Sequence, residues 1–141
     1  SIVAASDVYK RQMLVYSSSW YQLPLGDAVT GMFSAHEHRF GVHGGDQETS
    51  MMLALQPQGV DLAQAENFSS SSELRAQAYP VLGNGRSAKM GWHMQDYNVK
   101  GAAGNAAAAT AEKGQALVAA AGVQLALLLQ ELGRLPLSTL K

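Results

Sequence analysis

Apolar positions recur along this chain at helical spacing more often than they alternate. The clearest case lies near the C-terminus, where Leu117, Ala121, Leu125, Leu128 and Leu132 fall at steps of 4, 4, 3 and 4. That spacing places one apolar stripe on a helix. No proline interrupts Ala106 through Leu132, Gly104-Asn105 offers an N-cap, and Gly133 with Pro136 supplies a stop. Glu112 falls in an early turn, where negative charge suits the helix dipole. Gly114 and Gly122 each cost the helix about 1 kcal/mol against alanine, so their presence predicts close packing at both.

A second helical pattern, Met51, Met52 and Leu55 bounded by Pro57, predicts a short helix over about 46–56. The run Met13-Leu-Val-Tyr-Ser17 reads as a buried strand, with Trp20 and Tyr21 just beyond its C-terminal end. Ligands gather at such strand ends in open α/β sheets, so both aromatics are pocket-wall candidates. Val60-Asp61-Leu62 reads as extended, 65–72 as a serine-rich loop and 73–78 as one helical turn. Turn signals crowd positions 80–104, and a long irregular stretch of this kind is often functional or interfacial. No internal repeat is present.

With 141 residues, 47% of them hydrophobic and 15% charged, the chain has the size and composition of about one globular domain. A net charge of −1 with dispersed Lys and Arg gives no footprint for nucleic acid. No run of about 18 apolar residues is seen, so no membrane partner is expected. The absence of cysteine excludes disulfides and thiolate metal sites and fits a reducing, cytoplasmic compartment. Residues 1–12 have the look of a translated linker or assembly artefact and stand apart from the domain expected over 13–141.

Chemistry concentrates between positions 36 and 48, which hold His36, Glu37, His38, His43, Asp46 and Glu48. His36 and His38 would share a face if they lay on a strand, although solvated polar residues explain them as well. In His43-Gly44-Gly45 the glycines allow positive φ or a close backbone approach. Asp46 then caps the helix that carries Glu48, Thr49 and Ser50. An imidazole in the loop and a carboxylate in the first turn aim at one region, which suits metal ligation, substrate gripping or a capping motif without chemistry. Ser50 lacks a Gly-x-Ser-x-Gly setting and is no nucleophile candidate. The stretch 101–110 lacks the Gly-Lys-Ser/Thr of a phosphate loop, and Met51 and Met52 are most simply core.

The string HGGDQETSMMLALQPQGVDL resembles the C-terminal signature of the creatininase family. That signature is a His-(Gly/Ala)-Gly-x-x-Glu-Thr-Ser segment, a Met/Leu-rich helix, a Pro and a Val-Asp. Gly91-Trp92 with Gln95-Asp96, then Gly101, Gly104-Asn105 and Ala109-Thr110-Ala111-Glu112-Lys113-Gly114, are similar to the family's stretch ahead of its last helix. The likeness covers about 13–133. It implies a three-layer αβα domain of the α/β class, present as an incomplete C-terminal portion, and homo-oligomers, possibly hexamers. It also implies a metal-dependent amidohydrolase that opens a cyclic amide or related non-peptide C–N bond, with two divalent ions, zinc or manganese, activating water.

By residue, the resemblance makes His43 the substrate-gripping and proton-transferring histidine and Glu48 a metal ligand or the group that orients one. Trp20 and Trp92 are further substrate-binding candidates. The family's Glu-x-His…Asp and Asn-Gly-His ligand motifs have no match, since His36-Glu37-His38 has the wrong order. The chain alone is therefore expected to be inactive. Arg39 and Phe40 stand where creatinine-hydrolysing members place Trp-Asp, which points away from creatinine itself. The rival expectation is a catalytically incomplete or non-enzymatic interaction module that keeps the fold's C-terminal half.

Overall fold

The computed structural model describes residues 15–139. Two compact units divide the chain. One is Asp27–Val118; the other is formed by residues up to Gly26 and from Ala119 on.

Four helices and a two-stranded ladder organise the larger unit. Helix α1 is a single turn, Asp27–Thr30. Helix α2, Ala35–Phe40, starts at Ser34, whose hydroxyl accepts from the Glu37 amide at 3.0 Å. Helix α3, Asp46–Leu55, starts after Gly44 has turned the chain at φ 64°, a left-handed conformation that glycine takes without penalty. Helix α4, Ser71–Ala78, opens with a capping box between Ser70 and Glu73. Strands β1, Asn67–Phe68, and β2, Gly104–Asn105, pair antiparallel in the register Asn67↔Asn105 and Phe68↔Gly104. His43 and Ala103 form a separate antiparallel bridge.

The first turns of helix α5, Ala111–Arg134, close this unit. Gly114 of α5 passes so near α3 that an added Cβ would run into the Ser50 carbonyl. Leu117, one turn on, is buried. The buried apolar set is small: Phe33, Ala103, Ala106 and Leu117 among the described residues. Buried polar groups match it in number, namely Glu37, Asp46, Ser50 and Ser70. Hydrogen bonding at the centre therefore positions the elements as much as apolar burial does.

Several expectations change here. Among the described residues there is one small sheet flanked by helices, a mixed α and β arrangement, and not a three-layer αβα sandwich. Of the strand expected over 13–17, residues 13 and 14 lie outside the described part. Residues 15–17 form no strand, and Val15 and Tyr16 are exposed. His36 and His38 sit on α2 and not on a strand, because the Ser34 cap starts a helix there. The last helix begins at Ala111 and not at Ala106, since Asn105 is taken by β2 and Ala106–Ala108 form a tighter 3-10 turn. The Thr110 hydroxyl accepts from the Lys113 amide at 3.3 Å, so Thr110 and not Asn105 serves its first turn. Glu112 does fall in that turn. Its own backbone N–H, then the Thr110 hydroxyl, hold its carboxyl below the usual range.

In the other unit Trp20–Gln22 form one 3-10 turn, with Trp20 edge-on to Tyr21. On the later turns of α5, Val123, Leu125, Leu127 and Leu129 are exposed. By length and composition α5 could cross a membrane, with a mean hydropathy of 1.6 over its best window. Gln124, Gln130 and Glu131 keep it from being an unbroken apolar run but do not cancel its average.

Candidate functional site

The site grows from the glycine-rich loop between α2 and α3. Beneath the loop lies Glu37, 5% exposed. Its Oε1 accepts from the Asp46 amide at 2.7 Å and its Oε2 from the Asn105 amide at 2.8 Å. One carboxylate thus ties the start of α3 to β2. Three glycines make room for it: a Cβ on Gly41, Gly45 or Gly104 would collide with the Glu37 side chain.

Above this clasp the loop presents His43. Its backbone is fixed to Ala103, whose N–H donates to the His43 carbonyl at 2.8 Å. His43 Nδ1 lies 3.2 Å from Glu48 Oε2. The same Glu48 oxygen accepts from the Gly44 amide at 2.6 Å, and the Thr49 hydroxyl donates to the Gly44 carbonyl at 3.2 Å. Loop and helix turn therefore hold each other, and the imidazole and carboxylate meet as a pair. Both remain accessible, at 62% and 39% side-chain exposure.

The pair lines a cavity of about 590 Å3. Met51, Met52, Leu55, Val60, Phe68 and Ala106 supply apolar parts of its wall. Met51 and Met52, expected as core, thus line a cavity, and Met52 is 42% exposed. Asp46, expected as a cap, is the first residue inside α3, with Gly45 at the cap position. Its carboxylate instead accepts from Ser50 Oγ at 3.1 Å and Lys113 Nζ at 2.7 Å, and Ser50 Oγ accepts from the Thr110 amide. Lys113 Nζ also donates to the Ala108 carbonyl at 2.9 Å and lies 5.6 Å from the Phe33 ring centre.

Of the residues singled out from sequence, the structure brings together His43 and Glu48. Trp92 packs edge-on against Tyr97 on the irregular segment and is not among the cavity walls. Trp20 belongs to the other unit. His36 pairs with Glu73 at 3.2 Å, and the hydrogen bond from His36 is the largest cause holding the Glu73 carboxyl below its ordinary 4.5. His38 Nε2 donates to the Thr30 carbonyl at 2.8 Å, and Nδ1 accepts from the Gln47 amide at 3.2 Å. The roles of Glu37 as clasp and Lys113 as partner of Asp46 were not foreseen. Ser34-x-x-Glu37 is a visible helix-start pattern, but its Glu turns away from the cap toward amides supplied by distant sequence.

The divalent ions implied by the resemblance can be tested against this donor set. Among the described residues no three His, Asp or Glu side chains converge on one point. A catalytic zinc takes three protein ligands, whereas here one imidazole and one carboxylate meet and bond to each other. The described residues do not by themselves fit a metal centre.

Residues 2–129 match the family described as Creatininase, creatinine amidohydrolase, and the chain belongs to that family. The match starts at residue 2, so it reaches back over most of the leader and is not confined to the later motifs. Among solved structures the chain is similar to a candidate creatinine amidohydrolase of Bacteroides fragilis, with 28% identity and a TM-score of 0.64. That likeness covers 87% of this chain and 44% of the other, so the chain spans less than half the length of this relative. No curated protein matches it.

Proposed function

We propose that the whole protein is an amidohydrolase that opens a cyclic amide or related non-peptide C–N bond, with His43 as its proton carrier. The observation that carries this reading is the 3.2 Å approach of His43 Nδ1 to Glu48 in the lining of the cavity. A carboxylate only accepts, so Nδ1 carries the hydrogen and Nε2 keeps a lone pair. Nε2 takes a proton from the attacking water and returns it to the ring nitrogen as the C–N bond breaks. The Gly44 amide, bonded to the same Glu48 oxygen, keeps the ring oriented. Arg39 and Phe40, on α2, support a substrate other than creatinine. Zinc or manganese dependence and assembly into homo-oligomers belong to this reading of the whole protein, and no step above relies on them.

The test is ring opening of a panel of cyclic amides by the purified protein, with zinc or manganese added. His43→Gln should lower kcat by roughly a hundredfold or more, and Glu48→Gln by less. A well-folded, metal-supplemented protein that opens no member of the panel would overturn the reading in favour of a non-enzymatic module.

A further inference from the structure

We infer that the ligand of this site carries a neutral apolar substituent which lies along α3. This rests on the reading of His43 and Glu48 as the reacting end. Glu48, Met51, Met52 and Leu55 are spaced i, i+3, i+4 and i+7, so they share one face of α3. The acidic partner of His43 and the apolar wall are thus one surface, about 10 Å long at 1.5 Å per residue. Val60 and Phe68 line the same cavity. Its roughly 590 Å3 falls within the range that encloses drug-sized ligands, about 300–1,000 Å3. A single small polar ring held at His43 would leave most of that space empty.

The wall is also incompletely covered. Leu55 is 65% exposed and Met52 42%, although both follow directly from the paired residues on the same helix face. A substituent extending from the reacting amide covers them. It is neutral, since a charge laid against the apolar wall would lose hydration without a partner, and Asp61 in the lining would further repel an anion.

The experiment measures binding of 2-pyrrolidinone and its ring-alkylated derivatives, methyl through octyl, to the full chain by calorimetry. Affinity should rise about three- to fourfold per methylene until the wall is filled. Leu55→Asp and Met52→Asp, both at exposed positions and checked for folding by circular dichroism, should flatten that slope. Val123→Asp, on the exposed face of α5, should leave it unchanged. A flat series with the wild type overturns the inference, as does a slope that survives both wall variants. Turnover is read separately, on the whole protein supplied with zinc or manganese: a steep binding slope without ring opening there removes the hydrolase reading and leaves the apolar ligand, whereas efficient opening of unsubstituted rings with a flat slope does the reverse.

Discussion

Glu37 and Glu48 flank the same glycine-rich loop, yet their surroundings could hardly differ more. Glu37 is buried, both of its oxygens are filled by backbone amides, and three glycines fit around it. Glu48 is part-exposed, holds one amide and one imidazole, and borders a cavity. A carboxylate whose acceptor sites are met by fixed amides is part of the framework. One that meets a titratable ring beside open space can take part in chemistry. The loop is therefore built with a rigid underside and a reactive rim, and each side can be broken separately.

The largest effect is expected underneath. Glu37→Ala leaves one buried and one part-buried amide without partners, at about 1–3 kcal/mol each. Urea unfolding should show a loss of about 2–6 kcal/mol, with Glu37→Gln recovering part of it. Lys113→Met should follow, because it strands the buried Asp46 carboxylate. Lys113 is itself 21% exposed, so about 2 kcal/mol is expected, below the full cost of breaking a buried pair. On the rim, Glu48→Gln should move stability by less than about 1 kcal/mol, as for a partly exposed interaction, while activity falls. Equal stability losses at Glu37 and Glu48 would erase the distinction.

The smallest effect lies outside the loop, at Glu73. Its carboxyl is held below the ordinary value, first by the hydrogen bond from His36. A carboxylate lowered in this way contributes stability above its unfolded value of 4.5 and loses it as pH falls through the folded value. Because Glu73 and its partner His36 are both partly exposed, the slope should be shallow. Glu73→Gln should abolish this slope, lowering stability slightly at neutral pH and leaving it unchanged in acid melts below the folded value, where the carboxyl is already protonated.

Much of the rim was legible in the sequence because its chemistry is local. His43, the positive φ at Gly44 and the first turn of α3 lie within six residues, and the helix was expected over nearly its true span. Gly114 was also read correctly as a point of close approach. Gly122 was not, for nothing lies within 4 Å of where its Cβ would be. The underside was illegible because its partners are far away in sequence. Glu37 reaches Asn105, Asp46 reaches Lys113, and Ser50 reaches Thr110. Local preference favoured Asp46 and Asn105 as caps, and tertiary pairing claimed both for other bonds.

Those three long-range bonds join residues 37–50 to residues 105–113, and the chain between them makes a wide excursion. Within it, 84–93 is exposed throughout and includes Gly85 in a left-handed turn at φ 73°. Such a segment is where a protease cuts a folded protein first. A single nick there would yield two pieces still held together across the clasp, eluting as one species under native conditions and separating in denaturant. Separately expressed halves cut at that point are then expected to reassemble around Glu37.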